Sequence, residues 1–208
     1  MTTWAIVPVK PLSQAKSRLS EVLSREERIG LCLRMFIHTL DILSHVESID
    51  CTLVVSKDSN VLTMAREHNA RTITERGSPQ LNQALEHATQ MACGFGISTV
   101  LVLPADLPLL TKEVVDEFLS MSANPPVLVI APDRHGTGTN ALLTSPPGLI
   151  EYDFGSNSLN CHIARAEAAG ARVEVCQLPS LGLDIDLPED LELFESERIG
   201  TSTPKSEE

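Results

Sequence analysis

The sequence predicts an α/β domain with a central, mostly parallel sheet flanked by helices. Apolar, β-rich runs recur at 4–9, 51–56, 99–103 and 127–131, and each is followed by a helical pattern. The runs are hydrophobic throughout, as expected of strands that helices cover on both faces. A length of 208 residues suits one domain with a well-buried core and is too short for two ordinary ones.

The elements follow in order. After the first strand and a basic loop, Ser24 reads as the N-cap of a helix over 24–43, with Glu27 three residues later completing a capping-box pattern. Leu31, Met35 and Ile42 supply its apolar face. The strand at 51–56 leads to a helix at 60–68, a short strand at 71–74 and a helix at 80–93. The strand at 99–103 precedes a helix at 112–121. Strands at 127–131 and 140–144, a helix at 158–169, a strand at 172–177 and a helix at 189–197 complete the alternation. The domain is expected over 1–199, with 200–208, which lacks apolar residues, as a disordered tail.

Composition excludes some functions. A net charge of −12 argues against coating nucleic acid, which requires a surplus of Lys and Arg. A small anionic ligand would need a local cationic or metal-lined pocket, because the overall field repels it. No apolar run approaches the ~20 residues that span a bilayer, and Met-Thr-Thr-Trp lacks the features of a signal peptide. The expectation is a cytoplasmic protein that does not engage membranes, with a symmetric homodimer as the default assembly. Five cysteines without CxxC spacing, four of them among apolar neighbours, read as buried reduced thiols.

The strongest chemical signal is acidic. Pro104-Ala105-Asp106-Leu107-Pro108 follows a buried strand, and Leu183-Asp184-Ile185-Asp186 alternates apolar and acidic residues. In an extended segment Asp184 and Asp186 share one face while Leu183 and Ile185 turn to the core. Side-by-side carboxylates repel, and a divalent cation offsets this. Mg²⁺ leads, since it takes hard oxygen ligands and bridges carboxylates to phosphates. Glu189 and Asp190, after Pro188, read as first-turn acids favouring a helix dipole.

Three further segments can bind anions. Lys10, Lys16 and Arg18 are concentrated after the first strand, where ligands bind in α/β sheets. Both residue types suit phosphate oxygens, although a solvated basic loop explains the pattern equally well. The glycines of a P-loop are absent. Asp133-Arg134-His135-Gly136-Thr137-Gly138-Thr139-Asn140 offers close backbone approach and hydroxyl donors, or an ordinary turn. Phe154-Gly155-Ser156-Asn157-Ser158 opens a helix, where free amides favour anions and where Ser156, Asn157 or Ser158 can simply cap. His162 follows this segment and is a candidate anion contact, whereas His38, His45, His68 and His87 lack partners at ligand spacing. No GxSxG elbow supports a serine nucleophile.

In order, A-K-S-R-L ending at Leu19, P-A-D-L-P-L-L from Pro104, G-T-G-T-N-A-L-L from Gly136, F-G-S-N-S with His162, and L-D-I-D-L-P-E-D-L from Leu183 resemble the 2-phospho-L-lactate and phosphoenolpyruvate guanylyltransferases of coenzyme F-420 biosynthesis. The resemblance covers the chain to about residue 195. It implies a nucleotidyltransferase fold of GT-A type, Mg²⁺, and transfer of GMP from GTP to a phosphorylated three-carbon acid with release of pyrophosphate. It assigns metal to Asp106, Asp184 and Asp186, and the phospho-acid to Thr139, Gly155 and Ser158. GTP falls to Lys10, Lys16, Ser17 and Arg18, with Lys16, Arg18 and Asp106 as catalytic residues. The wider group has a glycine-rich first loop where this chain has Ser13 and Ala15. Phosphoenolpyruvate, 2-phospho-L-lactate and 3-phosphoglycerate remain open as acceptors. A molybdopterin or sugar-phosphate nucleotidyltransferase, or a non-catalytic nucleotide-binding domain, are the alternatives.

Overall fold

The computed structural model describes residues 2–14, 16–75 and 80–201. Seven strands form one sheet: β1 (Thr3–Val9), β2 (Cys51–Ser56), β3 (Arg71–Thr74), β4 (Thr99–Val102), β5 (Val127–Pro132), β6 (Thr139–Ser145) and β7 (Arg172–Val175). Their order is β3-β2-β1-β4-β6-β5-β7. Every pairing is parallel except those of β6, which runs antiparallel to β4 and β5. The helices are α1 (Arg25–Ser44), α2 (Ser59–Glu67), α3 (Leu81–Cys93), α4 (Lys112–Ser120), α5 (Ser158–Ala168), α6 (Pro179–Gly182) and α7 (Pro188–Thr201). Among the described residues, no helix is long and apolar enough to cross a membrane.

Alternation along buried strands builds a core on each face. Ala5 and Val7 of β1 meet Phe36, Leu40 and Leu43 of α1, the buried face of α2, and Phe118 of α4. Trp4 and Ile6 point the other way, with Leu53 and Val55 of β2, onto Leu85, Ala88 and Ala92 of α3 and Ala166 of α5. The chain moves outward from β1 to β3, then returns to place β4 on the other side of β1. This reversal opens a crevice beyond the carboxyl ends of β1 and β4, where ligands bind in open α/β sheets.

The capping box at α1 is present: Ser24 Oγ accepts from the Glu27 amide, and the Glu27 carboxylate accepts from the Ser24 amide. Two expectations are corrected, the end of the last helix and the burial of the cysteines, and the acidic segment lies outside the sheet. Residues 183–186 are extended but join no strand, because their backbone binds loop groups: the Ile185 N–H donates to Asp106 O at 3.2 Å. Helix α7 runs to Thr201, past the expected end at 197 and into the expected tail; residues 202–208 lie outside the described residues. Of the cysteines, all free, only Cys176 is fully buried, while Cys93 is exposed because it ends the solvent-facing side of α3.

A small third cluster matters most for function. Leu19, fully buried, follows the basic loop, and Ile185, fully buried, separates Asp184 from Asp186; both pack with Leu31 and Met35 of α1. One apolar contact therefore anchors two charged segments far apart in sequence. Replacing Ile185 by Ala should cost about 2–5 kcal/mol through lost burial and the cavity left behind, read as a lower urea midpoint at unchanged slope.

Candidate active site

The loop after β1 folds as two short 3-10 turns, Leu12–Gln14 and Ser17–Leu19, with Lys16 between them in a left-handed conformation (φ 52°). That turn sends the Lys16 side chain inward. Its Nζ lies 2.5 Å from Asp106 Oδ2 and 2.7 Å from Asp186 Oδ1. Burial alone would lower the pKa of this ammonium, but the charges of Asp106 and then Asp186, with their hydrogen bonds, outweigh it and raise the value. Burial would likewise raise the Asp186 carboxyl. The Lys16 charge and hydrogen bond, helped by Lys10 and Arg18, hold it below the ordinary range instead.

One carboxylate oxygen from each of Asp106, Asp184 and Asp186 lies within 4.8 Å of the other two. The structure thus brings together the three acids singled out in the sequence. Asp184 differs from its neighbour: burial first, then the Asp106 charge, pushes its carboxyl up. Asn140 Nδ2 donates to Asp184 Oδ1 at 3.2 Å and also lies 2.9 Å from Leu181 O and 3.1 Å from Gly182 O.

The acidic segment is held from behind. Asp190, buried in the first turn of α7, reaches back so that Oδ2 accepts from the amides of Asp186 (2.9 Å) and Leu187 (2.6 Å). Arg134 Nη2 lies 2.6 Å from Asp190 Oδ1, and the Arg134 amide donates to Gly182 O. Asp190 is therefore more than a first-turn acid favouring a dipole. It fixes the backbone that carries Asp186.

Beside the acids opens a cavity of about 550 Å³, lined on one side by Lys10, Lys16, Ser17, Arg18, Asp106 and Asp186. Arg18 is mostly exposed, with Nη1 3.9 Å from Asp186 Oδ2. All four residues expected at the nucleotide line this space. The lining also includes the apolar Val9, Val55, Leu81 and Ala84, and Glu75 just past β3. Glu75 Oε1 accepts from the Gln80 amide at 2.9 Å. Nothing in the sequence singled out Glu75; an acid just past a predicted strand was the available signal.

Thr139, Gly155 and Ser158 converge where β6 starts and α5 begins. Ser158 Oγ donates to Thr139 Oγ1 at 3.1 Å. Asp133 Oδ1 accepts from the Thr137 and Gly138 amides, and a Cβ at Gly138 would stand 2.8 Å from Asp133 Oδ2, so a side chain there would displace the carboxylate that holds the turn. Gly155 adopts φ 157°, and Asn157 (φ 61°) precedes α5 without a side-chain cap, leaving its first amides uncapped by Asn157. Asn82 of α3 brackets this loop from outside the five motifs: Oδ1 accepts from the Phe154 amide and Nδ2 donates to Phe154 O.

His162 is corrected. It faces inward, fully buried, with Phe154 edge-on at 4.9 Å, and exposes no surface to an anion. The turn of α5 that presents Ser158 to the loop carries His162, one turn later, beneath it. Burial first, then the Arg165 charge, lowers its pKa to about 4.

Residues 3–198 match the family described as "Guanylyl transferase CofC like". A phosphoenolpyruvate guanylyltransferase of Rubrobacter xylanophilus is 41% identical over 196 residues, covering 94% of this chain and 95% of that protein. A 2-phospho-L-lactate guanylyltransferase of Methanocaldococcus vulcanius is 37% identical over 191 residues, covering 91% and 83%. Among solved structures, a nucleotidyl transferase from Methanothermobacter thermautotrophicus superposes with a TM-score of 0.67 at 14% identity, covering 97% of this chain and 99% of that one. A 4-diphosphocytidyl-2C-methyl-D-erythritol synthase from Anaerococcus prevotii gives 0.64 at 12%, covering 95% and 96%. These two share the single-domain nucleotidyltransferase fold. With the family's pattern running through nearly all of its length, and relatives of such identity matching more than nine-tenths of it, the chain belongs to the CofC-like guanylyl transferase family.

Proposed function

We propose that this protein transfers GMP from GTP to a phosphorylated three-carbon acid, releasing pyrophosphate, as a step in coenzyme F-420 biosynthesis. The observation that carries the reading is a cluster of three carboxylates of which two, Asp106 and Asp186, line with the Lys16 ammonium a cavity large enough for a nucleotide. The named relatives support the same reaction, one for phosphoenolpyruvate and one for 2-phospho-L-lactate.

The acceptor phosphate needs no strong base, being anionic near neutral pH. One of its oxygens attacks the α-phosphorus of GTP in line, forming the new P–O bond while the bond to the β-phosphate breaks and pyrophosphate leaves. The obstacle is repulsion between two anions. Lys16 and Arg18, with Lys10 and Ser17 along the same wall, would bind the triphosphate and offset its charge. Thr139, Gly155 and Ser158 would seat the acceptor.

Asp106, Asp184 and Asp186 would hold a divalent cation, for which Mg²⁺ fits. Their donors are hard carboxylate oxygens, and one from each acid lies within 4.8 Å of the other two, a crowding that a cation would relieve. When bound, such an ion supplies charge neutralisation and Lewis-acid polarisation of phosphate oxygens.

Glu75 would select the base. Guanine presents two adjacent donors, N1–H and N2–H₂, on its pairing edge, and a carboxylate complements both. Val55, Leu81 and Ala84 offer apolar surface for the ring beside it.

Asp106→Asn and Asp186→Asn should each lower pyrophosphate release by about 10²-fold or more, with circular dichroism unchanged. A near-wild-type rate in either, with Mg²⁺ present, would refute the metal assignment. Glu75→Gln should raise the KM for GTP about tenfold and narrow the preference for GTP over ITP, which lacks the 2-amino donor. An unchanged GTP/ITP ratio would remove Glu75 from base selection.

A further inference from the structure

The buried His162 has both ring nitrogens engaged, and their partners dictate its proton. The Asp153 backbone N–H donates to Nε2 at 2.9 Å, so Nε2 carries no hydrogen. The proton of the neutral ring therefore sits on Nδ1, which faces Thr139 Oγ1 at 3.1 Å and can only donate to it. The lowered pKa keeps the ring neutral at physiological pH.

Ser158 Oγ also donates to Thr139 Oγ1. A hydroxyl accepts two hydrogen bonds and donates one. Both acceptor positions of Thr139 are filled from the protein interior, so its own proton has to be donated away from His162 and Ser158. Thr139 is half-buried where both of those residues are buried.

We propose that His162 is a positioning residue for the acceptor: through its Nδ1–H it fixes the Thr139 hydroxyl as an outward donor, committing that subsite to an anionic oxygen. The inference rests on the reading of Thr139 as an acceptor contact and adds to it what sets the hydroxyl's polarity. A ligand group that is itself a donor meets a second donor there. A phosphate or carboxylate oxygen meets a hydrogen already pointed at it, without reorganisation.

The surroundings serve that alignment. Asn82 fixes the Phe154 backbone on both sides, and the Arg165 guanidinium binds Glu151 O and the Asp153 carboxylate at 2.7 and 2.6 Å. Both restrain the segment whose amide occupies Nε2. A histidine kept only to fill space would not need its second nitrogen on a half-exposed hydroxyl.

The two nitrogens can be separated by substitution. A glutamine amide reaches the Nε2 position and can accept from Asp153, but offers nothing at Nδ1. An asparagine amide reaches the Nδ1 position and can donate to Thr139, but leaves the Asp153 N–H without its acceptor. Steady-state kinetics with GTP and phosphoenolpyruvate or 2-phospho-L-lactate, alongside thermal unfolding, should therefore split. His162→Gln should raise the acceptor KM about tenfold, the loss of one hydrogen bond feeding a charged ligand, at unchanged GTP KM. His162→Asn should keep the acceptor KM within about threefold while losing more thermal stability.

Thr139→Val should reproduce the His162→Gln effect, and the double variant should add little, because both act at one hydroxyl. In the intact protein, ¹⁵N NMR should show protonated Nδ1 and bare Nε2 at neutral pH. The opposite tautomer, additive effects of the two substitutions, or acceptor KM changes that merely follow lost stability would each overturn the proposal. The NMR result decides it even where a variant fails to fold. Wild-type protein that transfers GMP to no phospho-acid would sink the functional reading itself, whereas active wild type with the wrong tautomer sinks only the role of His162.

Discussion

Mutual repulsion among Asp106, Asp184 and Asp186 is the constraint around which this structure is arranged. Ionised carboxylates whose oxygens lie within 4.8 Å of one another repel by roughly 3 kcal/mol or more near a protein surface, before solvent screening reduces the figure. Screening is substantial at Asp186, whose side chain is 46% exposed, and weaker at Asp184. The fold opposes the repulsion in three ways. Ile185 and Leu19 bury apolar weight that pulls the segments together. Backbone hydrogen bonds, from Ile185 to Asp106 and from Asp186 and Leu187 to Asp190, remove the freedom to drift apart. Lys16 places one positive charge between two of the three acids. A single ammonium leaves the group net negative, which is the electrostatic condition that favours a divalent cation.

The acids were legible in the sequence because alternation needs only an extended backbone, with or without a strand partner. Leu183 and Ile185 turned inward and Asp184 and Asp186 outward, although no sheet pairing holds them. The parallel core was legible for a similar reason, since a strand buried on both faces has no polar side to write. What stayed hidden depends on distance across the chain. Lys16 lies 90 residues from Asp106 and 170 from Asp186, and no local pattern predicts their contact. Glu75 and Asn82 flank the motifs without belonging to them. His162 was visible as a residue, but its direction is set by helical phase against a loop whose turn residues, Gly155 and Asn157, adopt positive φ.

The parts of the site have different origins in the chain. The basic loop, Glu75 and Asp106 come from β1 to β4, the run of parallel strands that creates the crevice. Thr139, Ser158, His162, Asp184 and Asp186 come from the later segment. The three clustered acids therefore straddle the division, one from the first part and two from the second. Three contacts stitch the parts together: Lys16 to Asp186, the Ile185 amide to Asp106 O, and Asn82 of α3 to Phe154.

The antiparallel direction of β6 gives this division an architectural meaning. In the register that pairs Val102 with Leu142 and Val100 with Thr144, the start of β6 lies beside the end of β4. A parallel strand in that place would have carried its entry loop to the far edge of the sheet. Reversed, it brings the turn at 133–139 to the same rim as Asp106. The loop at 133–139 is thereby a replaceable fitting on a fixed frame: its length and side chains can change without disturbing the parallel strands that open the crevice.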